Sequence, residues 1–177
     1  MIGVCPGIDP PLTVARLREV LSYDAKSGLF EWNFYRGGRA GRNGKPGHLN
    51  DQGYVIISID RRRYRAHRLA WLYTHGAWPD EDIDHINRDR TDNRLANLRP
   101  VTRSQNLQNM SLRSDNASGF KGVYLDKHGM KWCAEIKAGG RRIKLGRFGT
   151  ARSAADAYDR AAAEHFGAFA CLNGAAA

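Results

Sequence analysis

Cysteine is scarce in this chain, and the little there is lies scattered. Cys5, Cys133 and Cys171 are the three cysteines in 177 residues, with no C-x-x-C pair among them. That excludes a disulfide framework and a cysteine-built zinc site. Long apolar runs are missing too, so no segment can span a bilayer, and the first residues show no basic start leading into an apolar run. Acidic residues are the third shortage: 18 Asp and Glu stand against 28 Lys and Arg, a formal net charge of +10. An excess of this size calls for a polyanionic partner. No basic amphipathic helix favours a membrane surface as that partner. The expectation is an intracellular, cytoplasmic protein that meets nucleic acid and no membrane.

The charge divides evenly. Residues 1–115 hold 18 Lys and Arg and 13 Asp and Glu, while residues 116–177 hold 10 and 5. Both halves therefore have a claim on a polyanion. Composition and pattern suggest four segments. Residues 1–53 form an N-terminal part with a helix, a short strand and a basic loop; residues 54–110 form the central domain, 111–117 a linker and 118–173 a second domain.

In the N-terminal part, Thr13 caps a helix running to about Leu21, and Leu29–Trp32 reads as a strand. The Gly- and Arg-rich stretch 36–47 is either a solvated loop or one whose amides approach an anion. Tyr54–Ile59 and the residues after Asp60-Arg61-Arg62 form a hairpin. Its arginines Arg61, Arg62, Arg63 and Arg65 are candidates for phosphate contact. A helix follows from about His67 to His75, with Gly76 as its stop. His67 lies just ahead of apolar residues, where a structural role is commoner than a ligand role.

The most informative stretch runs from Ile83 to Asn106. Ile83-Asp84-His85 reads as a strand end, 86–97 as a polar turn-rich loop and 98–101 as a second strand. Thr102 to Gln105 fits a capping box, so a helix starts there and carries Asn106 in its first turn. Phosphodiester cleavage needs an activated water, charge neutralisation at phosphorus and help for the departing 3′ oxygen. A histidine suits the first task and a divalent cation the other two. Mg²⁺ takes oxygen ligands and keeps several waters, so Asp84 and Asn106 would suffice to hold it, with Mn²⁺ as a substitute. Zinc is disfavoured, since no Cys lies between residues 6 and 132. One tension stands: in a regular strand Asp84 and His85 point to opposite sides, and a local bend or a site at the strand end is needed to unite them.

This stretch, with Ala66-His67-Arg68-Leu69-Ala70 upstream and Asn93, Asn97-Leu98 and Asn106 in its body, resembles the HNH endonuclease motif. The form is that of phage and intron-encoded homing endonucleases, and the likeness covers about residues 54–110. It implies the ββα-metal fold, with His85 as general base, Asp84 and Asn106 as metal ligands, and Asn97 fixing the loop through its backbone. Asn106 stands where other HNH branches carry a final histidine.

Beyond residue 117 the apolar period changes to two. Val123 and Leu125 mark one strand; Trp132, Ala134 and Ile136 line one face of a second; Ile143 and Leu145 line a third after a Gly139-Gly140 turn. An alanine-rich helix from about Ala151 to His165, with Tyr158 on its apolar side, can cover the sheet. From Lys121 to Arg152 there are nine Lys and Arg and two acids, whereas Ser153 to Phe166 holds one Arg and three acids. The cations thus gather on the sheet, either as a solvated face or as a surface for a DNA groove.

The words Gly119-Phe120-Lys121-Gly122-Val123, Trp132-Cys133-Ala134-Glu135-Ile136, Leu145-Gly146-Arg147-Phe148 and Ala154–Ala162 resemble the DNA-binding domain of the plant Apetala-two/ethylene-response-factor family. By position the resemblance implies DNA contacts from Lys121, Glu135, Lys137, Arg142, Lys144 and Arg147, with Tyr158 reaching a phosphate. Lys121, Tyr124, Lys137 and Lys144 replace Arg or Trp of the plant domain, and Lys does not replace a bidentate Arg neutrally. The expected class is α+β: an HNH domain preceded by a small antiparallel sheet, then a three-stranded antiparallel sheet on one helix. The expected function is a metal-dependent endonuclease acting on double-stranded DNA, bacterial or phage-encoded by resemblance. The contrasting reading is a non-catalytic DNA-binding regulator on the same scaffold.

Overall fold

A computed structural model of the chain describes residues 12–34, 45–110, 112 and 116–174. Most of the basic stretch 36–47 lies outside the described residues. The fold is α+β, and every strand pairing among the described residues is antiparallel. No helix in them is long and apolar enough to cross a membrane. The chain forms two compact units, Met1–Val101 and Thr102–Ala177. That division falls at the foot of a helix, not at the composition boundaries 53/54 and 110/111.

The first unit opens with α1 (Val14–Val20), where Thr13 Oγ1 accepts the Arg16 amide at 3.2 Å. Leu17 and Val20 put its apolar stripe in the core. The chain then passes straight into β1 (Leu21–Asp24), which pairs with β2 (Leu29–Trp32). The sequence reading ends a helix near Leu21 and misses β1, because no glycine or proline separates the two. β3 (His48–Leu49), β4 (Val55–Ile59) and β5 (Arg62–Arg65) form a three-stranded sheet in that order. Its β4–β5 turn places Asp60 and Arg61 at φ 49° and 66°. Those are the left-handed torsions that match hairpin twist. They are unfavourable without glycine, and the Arg16 guanidinium braces the turn with bonds of 2.9 and 3.0 Å to the Asp60 carboxylate.

α2 (Ala66–His75) follows directly and stops at Gly76, whose φ of 77° lets its N–H return to the Leu72 carbonyl. Leu69, Ala70 and Leu72 join Leu17, Leu21, Ile57 and Tyr64 in one core. β6 (Asp82–His85) and β7 (Leu98–Val101) close this unit as a two-stranded ribbon around the loop 86–97.

The second unit begins with α3 (Arg103–Asn109). Thr102 and Gln105 make both hydrogen bonds of the capping box. β8 (Val123–Leu125), β9 (Trp132–Ala138) and β10 (Arg141–Phe148) then form a sheet of order β10-β9-β8. α4 (Ala151–Phe166) covers it with Ala154, Ala155, Ala157, Ala161 and Ala162, small side chains that let helix and sheet approach closely. β10 contains one irregularity. Lys144 pairs with Glu135 but Gly146 pairs with Ala134, so Leu145 is an extra residue bulged out of the ladder. Gly146 sits there at φ 135°. The bulge resets the alternation, so that Arg147, opposite Cys133, shares the outer face with Arg142 and Lys144, and Phe148 packs inward.

Candidate active site and nucleic-acid interface

Pairing along β6 and β7 is regular from Asp82↔Val101 to His85↔Leu98, with no shift in register. Adjacent side chains therefore leave on opposite faces. Asp84 faces Arg99, its direct partner across the ribbon, and accepts hydrogen bonds from Nε (3.1 Å) and Nη2 (2.9 Å) on Oδ2. His85 keeps other company. Its ring lies 4.9 Å from that of His67, edge to face, and 6.1 Å from that of Tyr54, and Nε2 is 3.4 Å from Asn93 Oδ1. The bend that would turn both residues to one side of the strand is absent. Both are nonetheless buried, Asp84 to 9% exposure and His85 to 3%.

Asn93 decides the state of His85. Its Nδ2 donates to the Thr91 carbonyl at 3.0 Å, which turns the amide oxygen toward the imidazole. An acceptor at Nε2 assigns the proton to that nitrogen and leaves Nδ1 as the basic atom. Burial holds the His85 pKa below the usual histidine value, against the Asn93 hydrogen bond and the negative charges of Asp84, Asp89 and Asp92. His67, 3% exposed, is held well below that value by burial first, with repulsion from His85, Arg65 and Arg68 disfavouring its protonated form.

The loop that carries Asn93 is fixed by side-chain amides. Asn97 Oδ1 accepts the Asn87 amide at 3.0 Å, and Nδ2 donates to Asn87 Oδ1 (2.9 Å) and to the Asp92 carbonyl (2.8 Å). Arg94 forks onto the Asp92 carboxylate at 2.8 and 2.6 Å and lowers its pKa to about 2. The β1–β2 hairpin braces the loop from behind. Tyr23 Oη donates to the Asn93 carbonyl at 2.8 Å, and the Leu95 amide reaches the Ala25 carbonyl at 3.1 Å. Gly28 has no room for a side chain, since a Cβ would stand 2.4 Å from the Arg94 nitrogen.

Among the described residues no three His, Cys, Asp or Glu side chains gather as a metal cluster. Asn106 belongs to the second unit, in the first turn of α3, where its amide donates to the Thr102 carbonyl at 3.0 Å.

Of the hairpin arginines, Arg61, Arg62 and Arg63 are exposed. Arg65 is half-buried over the Tyr54 ring at 4.7 Å. In the second unit Lys137, Arg142 and Lys144 are exposed on the outer sheet face. Glu135 lies among them, 3.6 Å from Arg142. Arg147 is paired with Asp126.

Two of the expected DNA contacts have partners within the protein. Lys121 gives its ammonium to the Gln108 and Met110 carbonyls at 2.8 and 2.7 Å. Carbonyls at the end of a helix lack backbone partners and attract a cation. Tyr158 is a core residue at 5% exposure, and burial pushes its pKa up to about 12. Its ring fills the space beside Gly122, where a Cβ would come within 2.1 Å of it.

Residues 64–108 match the family model described as HNH endonuclease, and residues 118–168 match that of the AP2 domain. The chain joins an HNH endonuclease domain to an AP2 DNA-binding domain. A search of curated proteins finds no significant match. The HNH match takes in Asp84, His85, Asn93, Asn97, Arg99 and Asn106 together. The AP2 match spans the three-stranded sheet and all of α4.

Sequence reasoning gave no role to Arg99, to Asn93 beyond its place in the motif, or to Tyr54. Arg99 is readable only once the β6–β7 register is known. Asn93 was within reach, because a buried imidazole next to a carboxylate needs an acceptor to set its tautomer.

Proposed function

We propose that this chain is a metal-dependent DNA endonuclease of the homing type, whose HNH domain hydrolyses a phosphodiester bond while the AP2 domain holds the double-stranded target. The observation that carries this reading is His85, a buried imidazole kept neutral by burial, with Asn93 on Nε2. In that tautomer Nδ1 takes the proton of the attacking water. Asn97 acts as a positioning residue: it holds loop 86–92, and through it Asn93, at the imidazole.

Asp84 and Asn106 are the proposed ligands of one hard divalent ion, Mg²⁺ first and Mn²⁺ as a substitute. A carboxylate and an amide oxygen fit an ion that keeps most of its water. The Asp84 carboxylate is the buried negative charge of the ribbon, and its present counterion is the Arg99 guanidinium. When bound, such an ion neutralises the phosphoryl oxygens and the leaving 3′ oxygen.

Arg61, Arg62, Arg63 and Arg65 are proposed to track the phosphates near the cut. Lys137, Arg142, Lys144 and Arg147, with Glu135 among them, are proposed to meet the target groove. Lys121 and Tyr158 are proposed to shape that surface from behind. Nonspecific binding is typically about 10⁻⁴–10⁻⁶ M at physiological salt. A linked recognition module raises the local concentration to the order of mM and keeps a weak nuclease at its site. The proposed setting is the cytoplasm of a bacterial host, with the protein bacterial or phage-encoded.

Incubation of the full chain with supercoiled plasmid, with Mg²⁺ and with EDTA, tests the reading. Mg²⁺-dependent nicking is expected, and His85→Ala is expected to remove it by about 100-fold or more while duplex binding persists. Duplex binding without nicking under Mg²⁺ or Mn²⁺ refutes the nuclease in favour of a non-catalytic DNA-binding regulator.

A further inference from the structure

Asp84 and Arg99 stand directly opposite each other in β6 and β7. Two nitrogens of the guanidinium, Nε and Nη2, converge on one oxygen, Oδ2, at 3.1 and 2.9 Å. The side chains are 10% and 16% exposed, so the pair is largely shielded from water. An exposed pair of this kind contributes little, because water screens it. A buried one is different, since each charge is costly to leave alone in the interior. The partner here is also fixed by strand register and does not depend on the reach of a flexible side chain. The hairpin thus supplies the Asp84 carboxylate with a cation of its own.

On the reading above, on which this inference rests, the same carboxylate holds the divalent ion. A guanidinium and a metal ion draw on one negative charge and repel each other. We propose that Arg99 is the resident counterion of Asp84 and competes with the metal for it. Arg99 offsets the buried negative charge of the metal-free carboxylate, and for the same reason it weakens metal binding. The site then loads best when other negative charge, such as DNA phosphate, draws the guanidinium away.

Titration of the full chain with Mn²⁺, without DNA, by calorimetry and by the loss of the free-ion electron paramagnetic resonance signal, tests this. Arg99→Gln is expected to bind Mn²⁺ roughly tenfold tighter than the wild type, the weight of a charge-assisted hydrogen bond removed from the competition. Misfolding cannot imitate a gain in affinity. Arg99→Lys keeps the charge but not the fork, so a smaller gain, about threefold, is expected, and this variant serves if Arg99→Gln does not fold. Adding Asp84→Asn to either variant is expected to abolish the gain. Equal or weaker Mn²⁺ affinity in both folded variants overturns the proposal. If the wild type still nicks plasmid in that case, the counterion role alone fails and the nuclease reading stands. If neither nicking nor Mn²⁺ binding is found in any of the proteins, both fail together.

Discussion

The two units handle polar groups in opposite ways. The first unit takes them inside: His67, Asp84, His85, Asn93 and Asn97 are all buried, held by one another and by backbone. In the second, among the described residues, Asn109 is the buried polar residue, the Asp126 carboxylate is covered beside Arg147, and Lys137, Arg142 and Lys144 face outward. The contrast fits the proposed roles of the two units. Chemistry at a phosphate needs groups whose orientation and protonation are settled before the substrate arrives, and that requires removal from water. Binding a polyanion needs charge that stays hydrated until counterions are released. The cores differ accordingly. The first is built from Leu, Ile, Phe and Tyr around several short elements, and the second from alanines that press one helix onto one sheet.

The largest expected effect strikes the buried side of this contrast. Asn97→Ala removes the acceptor of the Asn87 amide and both amide donors to the loop. Nicking is expected to fall about 100-fold, at a stability cost of about 1–3 kcal/mol, with duplex affinity unchanged. Plasmid nicking and gel-shift titration measure the two, and an equal fall in both erases the distinction between the units.

A pair of glycine variants sharpens the comparison. Gly28→Ala drives a methyl to 2.4 Å from the Arg94 nitrogen, and Gly122→Ala drives one to 2.1 Å from the Tyr158 ring, each at a positive φ. Each is expected to cost about 2–3 kcal/mol. Gly28→Ala should lose nicking and keep duplex binding, and Gly122→Ala the reverse. Crossed losses of function, with the two units' thermal transitions shifting separately, are the result to look for.

Acid supplies a third, smaller contrast. The folded pKa of His67 lies below the 6.5 of an ordinary histidine. Between those two values the unfolded chain binds a proton that the folded chain refuses. Stability is therefore full above pH 6.5 and declines as pH falls below it, by at most about 1.4 kcal/mol per pH unit for this group. His85, lowered in the same direction, adds to the decline. In the second unit the acid-sensitive group is Asp126, held to about 2, so that unit is expected to remain intact down to pH 5 (denaturation midpoints at pH 8, 6.5 and 5 suffice). The smallest effect belongs to Lys144→Ala, which should flatten the salt dependence of duplex binding by about one counterion and leave nonspecific nicking alone.

Much of this was legible in the residues. The helical stripe of α2, the alternation in β9 and the capping box at Thr102 are local signals that tertiary structure had no cause to override. β1 was hidden because it continues α1 without a breaker. The Arg99–Asp84 pair was hidden because a 12-residue loop sets its register. Tyr158 shows two kinds of reading at odds: its place on the apolar side of α4 gave a core residue, whereas the resemblance gave a phosphate contact, and 5% exposure favours packing. Lys121 became an expected DNA contact through the resemblance, and nothing in its neighbours announced two carbonyls at the end of a helix 11 and 13 residues upstream.

The extra residue in β10 has a consequence for how the AP2 surface can change. Without the bulge, a strand of the present length would put Arg147 opposite Trp132, on the inner face, and turn Phe148 outward. Deleting Leu145 would instead leave Gly146 opposite Ala134 and Arg147 opposite Cys133, so the outer face would keep its cations and the core would lose one apolar side chain. The irregularity thus absorbs one residue of surplus length at the expense of the core and spares the face that carries the charge.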